Sequence, residues 1–256
     1  MDVIAHRGAR LLALENSLEA FRVAWEEGAD AIELDVQLTA DGEPVVFHDE
    51  TLAAWTGDER PIVDQRWRDL RLVRLVDERG NAGTMPHLDE VLEMVAAAPG
   101  WVNIELKTEL TEGDPELRLA DTVAARLESS KKIVVSSFSK VALSRFASCL
   151  PAVQTAVLIH DRPDWPWSPL AAVGTSSHAA ETGATQALLG ASWNAVHPHG
   201  LIVDRARIAA WQGHGLAVRP WVVNEPVHWH MCRVVGVDGV ITDDPGGLRG
   251  FLENDG

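Results

Sequence analysis

Acidic residues and a histidine lie close together in one short stretch of the chain, from Ile32 to Asp49. Glu33 and Asp35 are two residues apart in an apolar segment, so on a β-strand both carboxylates face the same side. Asp41-Gly42 between two apolar runs is a strong hairpin signal. With this dipeptide at the centre of the turn, His48 lies opposite Asp35. The sequence thus predicts two carboxylates and an imidazole together.

Two neighbouring carboxylates are costly unless a ligand neutralises them. Like charges repel, and each group loses hydration when it is buried, so the pair favours a bound cation or strong hydrogen-bond donors. Oxygen ligands suit Mg²⁺ or Ca²⁺ better than Zn²⁺ or Cu²⁺. We therefore expect one divalent cation, Mg²⁺ or Ca²⁺, at this stretch. The alternative is a solvated edge hairpin whose outer face carries Glu33 and Asp35.

Apolar and amphipathic segments alternate along the whole chain of 256 residues. Without the return arm Pro44–His48, they predict eight strands separated mostly by helices, the first helix being capped by Asn16. This pattern is typical of a (β/α)₈ TIM barrel, with an open doubly wound sheet as the alternative. We expect a single domain over residues 1–256, with a small hairpin or insertion after the second strand, around residues 41–85.

Polar residues follow the predicted strands at their carboxyl ends, and a barrel brings these ends to one mouth. An open sheet would instead spread them along an edge. The residues placed in this way are His6, Glu33, Asp35, Glu105, Ser137, His197 and Trp221. Lys107 shares a strand face with Glu105, although the two could also form a simple ion pair.

The chemistry of this set points to phosphate esters. Three carboxylates on a divalent ion leave positions open for substrate oxygens and water. The metal, Arg7 and Lys107 would neutralise the oxygens of a phosphate as charge builds on phosphorus. His6 and His48 can then divide the proton transfers, one as general base and one as general acid. We therefore predict cleavage of a phosphodiester.

Composition limits the partners. The formal net charge of −16 at pH 7 argues against nucleic acid, which leaves a small-molecule substrate. No window has the length of a transmembrane segment and the chain does not begin like a signal peptide, so a cytoplasmic location is expected. Trp165 and Trp167 lie between prolines and could form a lid or the contact of a homodimer.

The order of the short motifs resembles that of the glycerophosphodiester phosphodiesterase family. Each motif alone is weak evidence, but ten in family order cover nearly the whole chain. They are His6-Arg7-Gly8, Glu15-Asn16-Ser17, Glu33-Leu34-Asp35-Val36, Asp41-Gly42, His48-Asp49, Glu105-Leu106-Lys107, Ser136-Ser137-Phe138, His197-Pro198, Trp221-Val222-Val223-Asn224 and Asp238-Gly239-Val240-Ile241-Thr242-Asp243.

The resemblance implies a phospholipase C-like barrel that hydrolyses a glycerophosphodiester to glycerol 3-phosphate and an alcohol. It implies that His6 and His48 are the acid/base pair and that Glu33, Asp35 and Glu105 are the metal ligands. By the same resemblance Arg7 and Lys107 contact the phosphate, and Trp221 forms an aromatic wall for the glycerol carbons. Three further residues are expected to support these groups without touching the substrate: Glu15, Asp49 and His197.

Two departures from the family pattern stand out. Leu14-Glu15-Asn16-Ser17 replaces Pro-Glu-Asn-Thr, and Ala54-Trp55-Thr56 stands where an Arg-Thr-Thr run is frequent. The second bears on which alcohol is accepted. Cleavage of a lysophospholipid or sphingolipid headgroup by the same site, or a catalytically silent phosphate-binding barrel, are the alternative functions. The sequence leaves open which histidine is the acid, and whether water or the glycerol 2-hydroxyl attacks.

Overall fold

Eight parallel strands form a barrel in this computed structural model, which describes residues 1–108, 114–128, 130–160, 193–200 and 203–254. The strands are β1 (Asp2–Ala5), β2 (Ala31–Leu38), β3 (Trp101–Leu106), β4 (Ile133–Ser137), β5 (Gln154–Ile159), β6 (Ala195–Pro198), β7 (Ala217–Val218) and β8 (Gly239–Thr242). Their order in the sheet is β7-β6-β5-β4-β3-β2-β1-β8. Backbone hydrogen bonds of 2.9 Å, from the Asp238 amide to the Val218 carbonyl and from the Ile241 amide to the Pro220 carbonyl, connect the two ends. The predicted TIM barrel is confirmed.

Helices surround the barrel and bury their apolar faces against the strands. In the described residues they are α1 (Leu18–Glu26), α2 (Leu88–Ala97), α3 (Asp114–Arg126), α4 (Lys140–Cys149), α5 (Arg205–Gly213), α6 (Pro226–Val235) and α7 (Pro245–Asn254). Phe21 and Phe146 are fully buried in the large apolar cluster that joins these helices to the outward-facing residues of the strands. Burial of this interface is the main source of stability, and it fixes where each strand ends.

The first helix begins one residue later than predicted. Ser17, not Asn16, is the N-cap, and its side chain accepts a hydrogen bond from the Ala20 amide. Asn16 instead has a positive φ of 54°, in the left-handed region that asparagine tolerates better than most residues. Its side chain is therefore free to point away from the helix and toward β2.

The predicted register of the hairpin was wrong by one residue. Val36 pairs with Val46 and Leu38 with Pro44, so Asp35 lies opposite Phe47, whose amide donates to the Asp35 carbonyl over 3.0 Å. The Thr39 amide donates to the Glu43 carbonyl, so the loop has three residues, 40–42, rather than two, and Gly42 closes it with a φ of 81°. His48 thus lies beyond the hairpin ladder, next to the site rather than across the strand from Asp35.

Short elements occupy the chain between the hairpin and α2. Two small antiparallel sheets pair Thr51–Leu52 with Asp58–Pro61 and Arg74–Val76 with Ala82–Thr84. These elements have an apolar cluster of their own, composed of Leu14, Val45, Phe47, Leu52, Ile62, Leu70, Leu75 and Met85. This separate cluster holds the segment against the carboxyl end of β2.

One strand is shorter than predicted. The sequence indicates a strand over Leu216–Val222, whereas β7 contains only Ala217–Val218 and Trp221 forms an isolated bridge with His199. Pro220 lies between them and has no amide proton for the ladder.

No helix in the described residues is long and apolar enough to cross a membrane. The loop with Trp165 and Trp167 lies outside the described residues.

Gly8→Ala should destabilise the fold much more than Gly57→Ala. Both glycines have a φ near 80°, but a Cβ at Gly8 would lie 2.7 Å from the Ala20 backbone, whereas nothing lies within 4 Å at Gly57. We expect a loss of about 2–4 kcal/mol for Gly8→Ala, from left-handed strain and overpacking together, and about 1 kcal/mol for Gly57→Ala. Urea denaturation measures both. Equal losses would contradict the close packing of the β1–α1 loop against α1.

Candidate active site

Three carboxylates meet at the carboxyl ends of β2 and β3. Glu33 and Asp35 project from the same face of β2, and the parallel register places Asp35 beside Glu105 of β3. One oxygen of each residue lies within 4.8 Å of the others. Glu33 and Asp35 are 3% and 2% exposed. The predicted cluster is therefore buried and compact.

Two cations border the cluster. The Arg7 Nε lies 3.2 Å from an Asp35 oxygen, and the Lys107 Nζ lies 3.2 Å from Glu105 and 3.8 Å from Asp35. Burial favours a neutral Asp35, but the charges of Arg7 and Lys107 outweigh it and hold the pKa of this carboxyl below its ordinary range. Burial and the neighbouring acids Asp35 and Glu105 raise the pKa of Glu33 well above its ordinary value. Arg7 opposes this rise in pKa but does not cancel it.

The donor set fits a divalent cation. Glu33 Oε2 accepts a hydrogen bond from the Arg7 amide over 3.0 Å, whereas its buried Oε1 has no hydrogen-bond partner. A buried acceptor without a partner is unfavourable, and a hard cation would satisfy it. Glu33, Asp35 and Glu105 supply only oxygen atoms, which is the chemistry of a Mg²⁺ or Ca²⁺ site.

His6 is held by an acid from the other end of the chain. Its Nδ1 lies 2.6 Å from Asp243, which directly follows β8 and also accepts a 2.8 Å hydrogen bond from the Asn224 side chain. Burial would raise the pKa of Asp243, but the hydrogen bond from His6 and the charge of Arg10 lower it to about 2. Burial lowers the pKa of His6 despite Asp243. The arrangement favours a neutral ring with its proton on Nδ1, so that Nε2 can accept a proton.

His48 has a local carboxylate partner. Its Nδ1 lies 2.8 Å from Asp49 Oδ1, while the Trp55 Nε1–H donates to Asp49 Oδ2 over 2.9 Å. The Gln37 side chain donates to the Phe47 and Asp49 carbonyls and so holds this part of the chain against β2. Hydrogen bonding to His48 lowers the pKa of Asp49, which keeps it ionised. Both histidines thus have an anchored Nδ1.

Arg7 is fixed in a strained conformation by acids on several sides. Its φ is 55°, and its Nη1 donates to Glu15 over 2.8 Å. Burial opposes the charged form, but Asp35 and Glu15 raise the pKa of Arg7, so it stays a cation. Glu15 also pairs with Arg10 at 2.5 Å. Glu15 therefore lies behind Arg7.

Trp221 and His197 lie on the opposite side of the barrel. The Trp221 Nε1–H donates to the His197 carbonyl over 2.8 Å, and its ring makes edge contacts with Phe138, His160 and His199. His197 is fully buried and neither ring nitrogen has a hydrogen-bond partner. Burial and the charge of Arg219 lower its pKa well below the ordinary value. The contact of His197 with Trp221 is made by its backbone carbonyl.

Several residues of the site were not predicted. The Asn16 side chain donates to Asp35 over 2.9 Å, Asp243 and Asn224 hold His6, and Trp55 holds Asp49. Asp243 and Asn224 follow strand ends, which is the same signal that identified the others. Asn16 gave no such signal, because its type and position also suit a helix cap.

The effect of Glu33→Gln on the free energy of unfolding should change sign when metal is added. In chelator, the raised pKa of Glu33 means that its ionised form costs stability, increasingly so as pH rises above 4.5. The variant should therefore be more stable than the wild type near pH 8, and the difference should shrink toward pH 4. At a metal concentration 100 times Kd, the wild type should gain about 2.7 kcal/mol and the variant less.

Thermal unfolding with EDTA, Mg²⁺ or Ca²⁺ measures this reversal. Glu26→Gln is the control, because Glu26 is exposed and pairs only with Arg22 among the described residues. A Glu33→Gln variant that is less stable than the wild type in EDTA at pH 8 would contradict the electrostatics described above.

The chain is similar in sequence to known proteins. Residues 6–247 match the model of the glycerophosphoryl diester phosphodiesterase family. A glycerophosphodiester phosphodiesterase of Bacillus altitudinis is 30% identical over 250 residues, which are 95% of this chain and 94% of the relative. One of Caldanaerobacter subterraneus is 29% identical over 99% of this chain and 98% of its own.

Solved structures give the same result. A Silicibacter pomeroyi crystal structure described by that family name has a TM-score of 0.87 and 28% identity, and the match covers 100% of this chain and 94% of the other. An Oleispira antarctica phosphodiesterase in complex with its product sn-glycerol-3-phosphate has a TM-score of 0.80, covers 99% and 97%, and shares the fold at 23% identity. The chain therefore belongs to the glycerophosphoryl diester phosphodiesterase family.

Proposed function

We propose that residues 1–256 form one catalytic domain that hydrolyses glycerophosphodiesters to glycerol 3-phosphate and an alcohol, with a divalent cation and two histidines. The observation that carries this proposal is the pair of anchored imidazoles beside a buried triad of acids. Both His6 and His48 interact electrostatically with Asp35. Each has its Nδ1 held by a carboxylate, so each Nε2 is available for proton transfer.

Glu33, Asp35 and Glu105 would hold the cation, which when bound supplies Lewis-acid polarisation of a phosphate oxygen. Arg7 and Lys107 already pair with Asp35, so a phosphate bound at the cation would lie close to both charges. Together they would neutralise charge that builds on the phosphate oxygens in the transition state. Trp221 would pack against the glycerol carbons, since an indole face covers C–H groups and leaves hydroxyls free.

The two histidines would divide the proton transfers. Burial lowers the pKa of His6 and so favours the neutral ring, whose Nε2 would take the proton of the attacking hydroxyl. The His48 side chain is 33% exposed, and its partner Asp49 lines, together with Trp55, a cavity of about 500 Å³ that is large enough for the leaving alcohol. His48 would therefore protonate the leaving oxygen. One P–O bond forms to the attacking oxygen and the P–O bond to the alcohol breaks. Attack by water gives glycerol 3-phosphate directly, whereas attack by the glycerol 2-hydroxyl gives a cyclic phosphate that a water then opens to glycerol 3-phosphate.

Release of glycerol 3-phosphate tests the proposal. Wild-type protein with Mg²⁺ or Ca²⁺ should hydrolyse glycerophosphocholine or glycerophosphoethanolamine and should lose this activity in EDTA. His6→Ala and His48→Ala should each lower kcat by about 10²–10⁴-fold, the range of general acid/base catalysis. Their thermal unfolding should remain cooperative. His214→Ala, at an exposed end of α5, is the control and should keep full activity.

Other outcomes separate the alternative functions. Turnover of a lysophospholipid or sphingolipid alone would retain the chemistry but move the substrate to lipid surfaces. No turnover with any diester or metal would contradict the proposal and favour a phosphate-binding barrel.

The leaving group tests the assignment of acid and base. A p-nitrophenyl ester of glycerol 3-phosphate releases a stable anion, so its cleavage needs no general acid. We expect His48→Ala to lose most of its defect with this ester, whereas His6→Ala stays defective, because the attacking hydroxyl must still be deprotonated. The opposite result would exchange the two roles.

A further inference from the structure

The cavity beside His48 is formed largely by the segment that follows the hairpin. It has a volume of about 500 Å³, and its lining includes Arg7, Asp49 and Trp55. Arg7 and Asp49 connect it to the site described above. Val76 and Arg79, at the turn of the second small sheet, also line it, so the cavity combines this segment with residues that follow β1.

Trp55 belongs to both the cavity and the catalytic machinery. Its indole lines the cavity, and its Nε1–H donates to Asp49 Oδ2 over 2.9 Å. The other Asp49 oxygen lies 2.8 Å from His48 Nδ1. A chain of two hydrogen bonds therefore runs from the cavity wall to the ring of His48.

The position of the indole is fixed by packing. Trp55 lies on the short helix Ala53–Thr56, and its ring centroid is 6.0 Å from that of Phe47, which directly precedes His48. It also packs against the small apolar cluster of this segment. Since the ring cannot move without disturbing these contacts, its N–H holds Asp49 in one orientation.

We propose that Trp55 is a positioning residue that aligns the Asp49–His48 pair and also forms the wall against which the leaving alcohol binds. The inference rests on the proposed function, with His48 as the general acid. Asp49 has a carboxylate that could rotate away from His48, and the indole N–H removes this freedom by occupying the second oxygen. The same ring covers the carbon atoms of the alcohol, so the group that leaves and the acid that protonates it are placed by one side chain.

Trp55→Phe and Trp55→Leu separate the two roles. Phenylalanine keeps an aromatic wall but has no N–H, so kcat for glycerophosphocholine should fall about tenfold, the usual value of a hydrogen bond to a charged group, with KM nearly unchanged. Leucine removes the aromatic face as well, so KM should also rise. Trp67→Phe is the matched control: Trp67 packs on the same apolar cluster and does not line the cavity, and the variant should retain wild-type kcat and KM.

A double-mutant cycle with Asp49→Asn identifies the route of the effect. If Trp55 acts through Asp49, Trp55→Phe should lower kcat far less in the Asp49→Asn background than in the wild type. The tenfold loss should also disappear with the p-nitrophenyl ester, because that leaving group needs no proton. Independent losses in the cycle, or an equal loss with both substrates, would overturn the proposal.

Failure of the inference can be distinguished from failure of the proposed function. A wild-type protein without turnover of any diester contradicts the function itself. An active wild type and a Trp55→Phe variant with full kcat contradict only the role of Trp55. Urea denaturation of both Trp55 variants and of Trp67→Phe shows whether a lost activity reflects a lost fold.

Discussion

Three acids with little exposure to solvent lie at one end of the barrel, and the surrounding residues offset part of their mutual repulsion. The negative charge of Asp35 is the best compensated of the three, because Arg7, Lys107 and the side-chain amide of Asn16 lie near its oxygens. Glu33 has one oxygen without a partner. Because uncompensated charge is costly in a buried site, this asymmetry is unfavourable, and a cation bound at Glu33 would relieve it.

Strain in the backbone is concentrated at the same place. Arg7 and Asn16 are the two non-glycine residues of the described chain with positive φ, and both interact with Asp35. Such conformations cost of order 1–3 kcal/mol each and persist only when other contacts determine them. The backbone amide of Asn16 donates a hydrogen bond to the Arg7 carbonyl, which links the two strained residues to each other. The large apolar interface between strands and helices supplies the free energy of folding that offsets this backbone strain.

Each of the two histidines has a carboxylate at Nδ1, but they obtain it by different routes. His48 takes its carboxylate from the next residue, whereas His6 takes one from Asp243, 237 positions away in sequence. The local pair lies on an added segment with its own apolar cluster, and the distant pair depends on β1 and β8 being neighbours in the barrel. Changes in the segment can therefore alter the cavity lined by Asp49 and Trp55 without disturbing the strands that carry the acids.

The sequence by itself determined the barrel, the acidic triad and both histidines, because strand periodicity places Glu33 and Asp35 on one face and parallel strands bring their ends together. It also determined the family, through motifs spread over the chain. Tertiary structure decided the rest. The hairpin register depended on the conformation of Gly42, Asn16 became a partner of Asp35 rather than a cap, and Asp243 reached His6 only through closure of the barrel. These contacts depend on backbone angles and on distant neighbours, which the pattern of residue types along one chain does not specify.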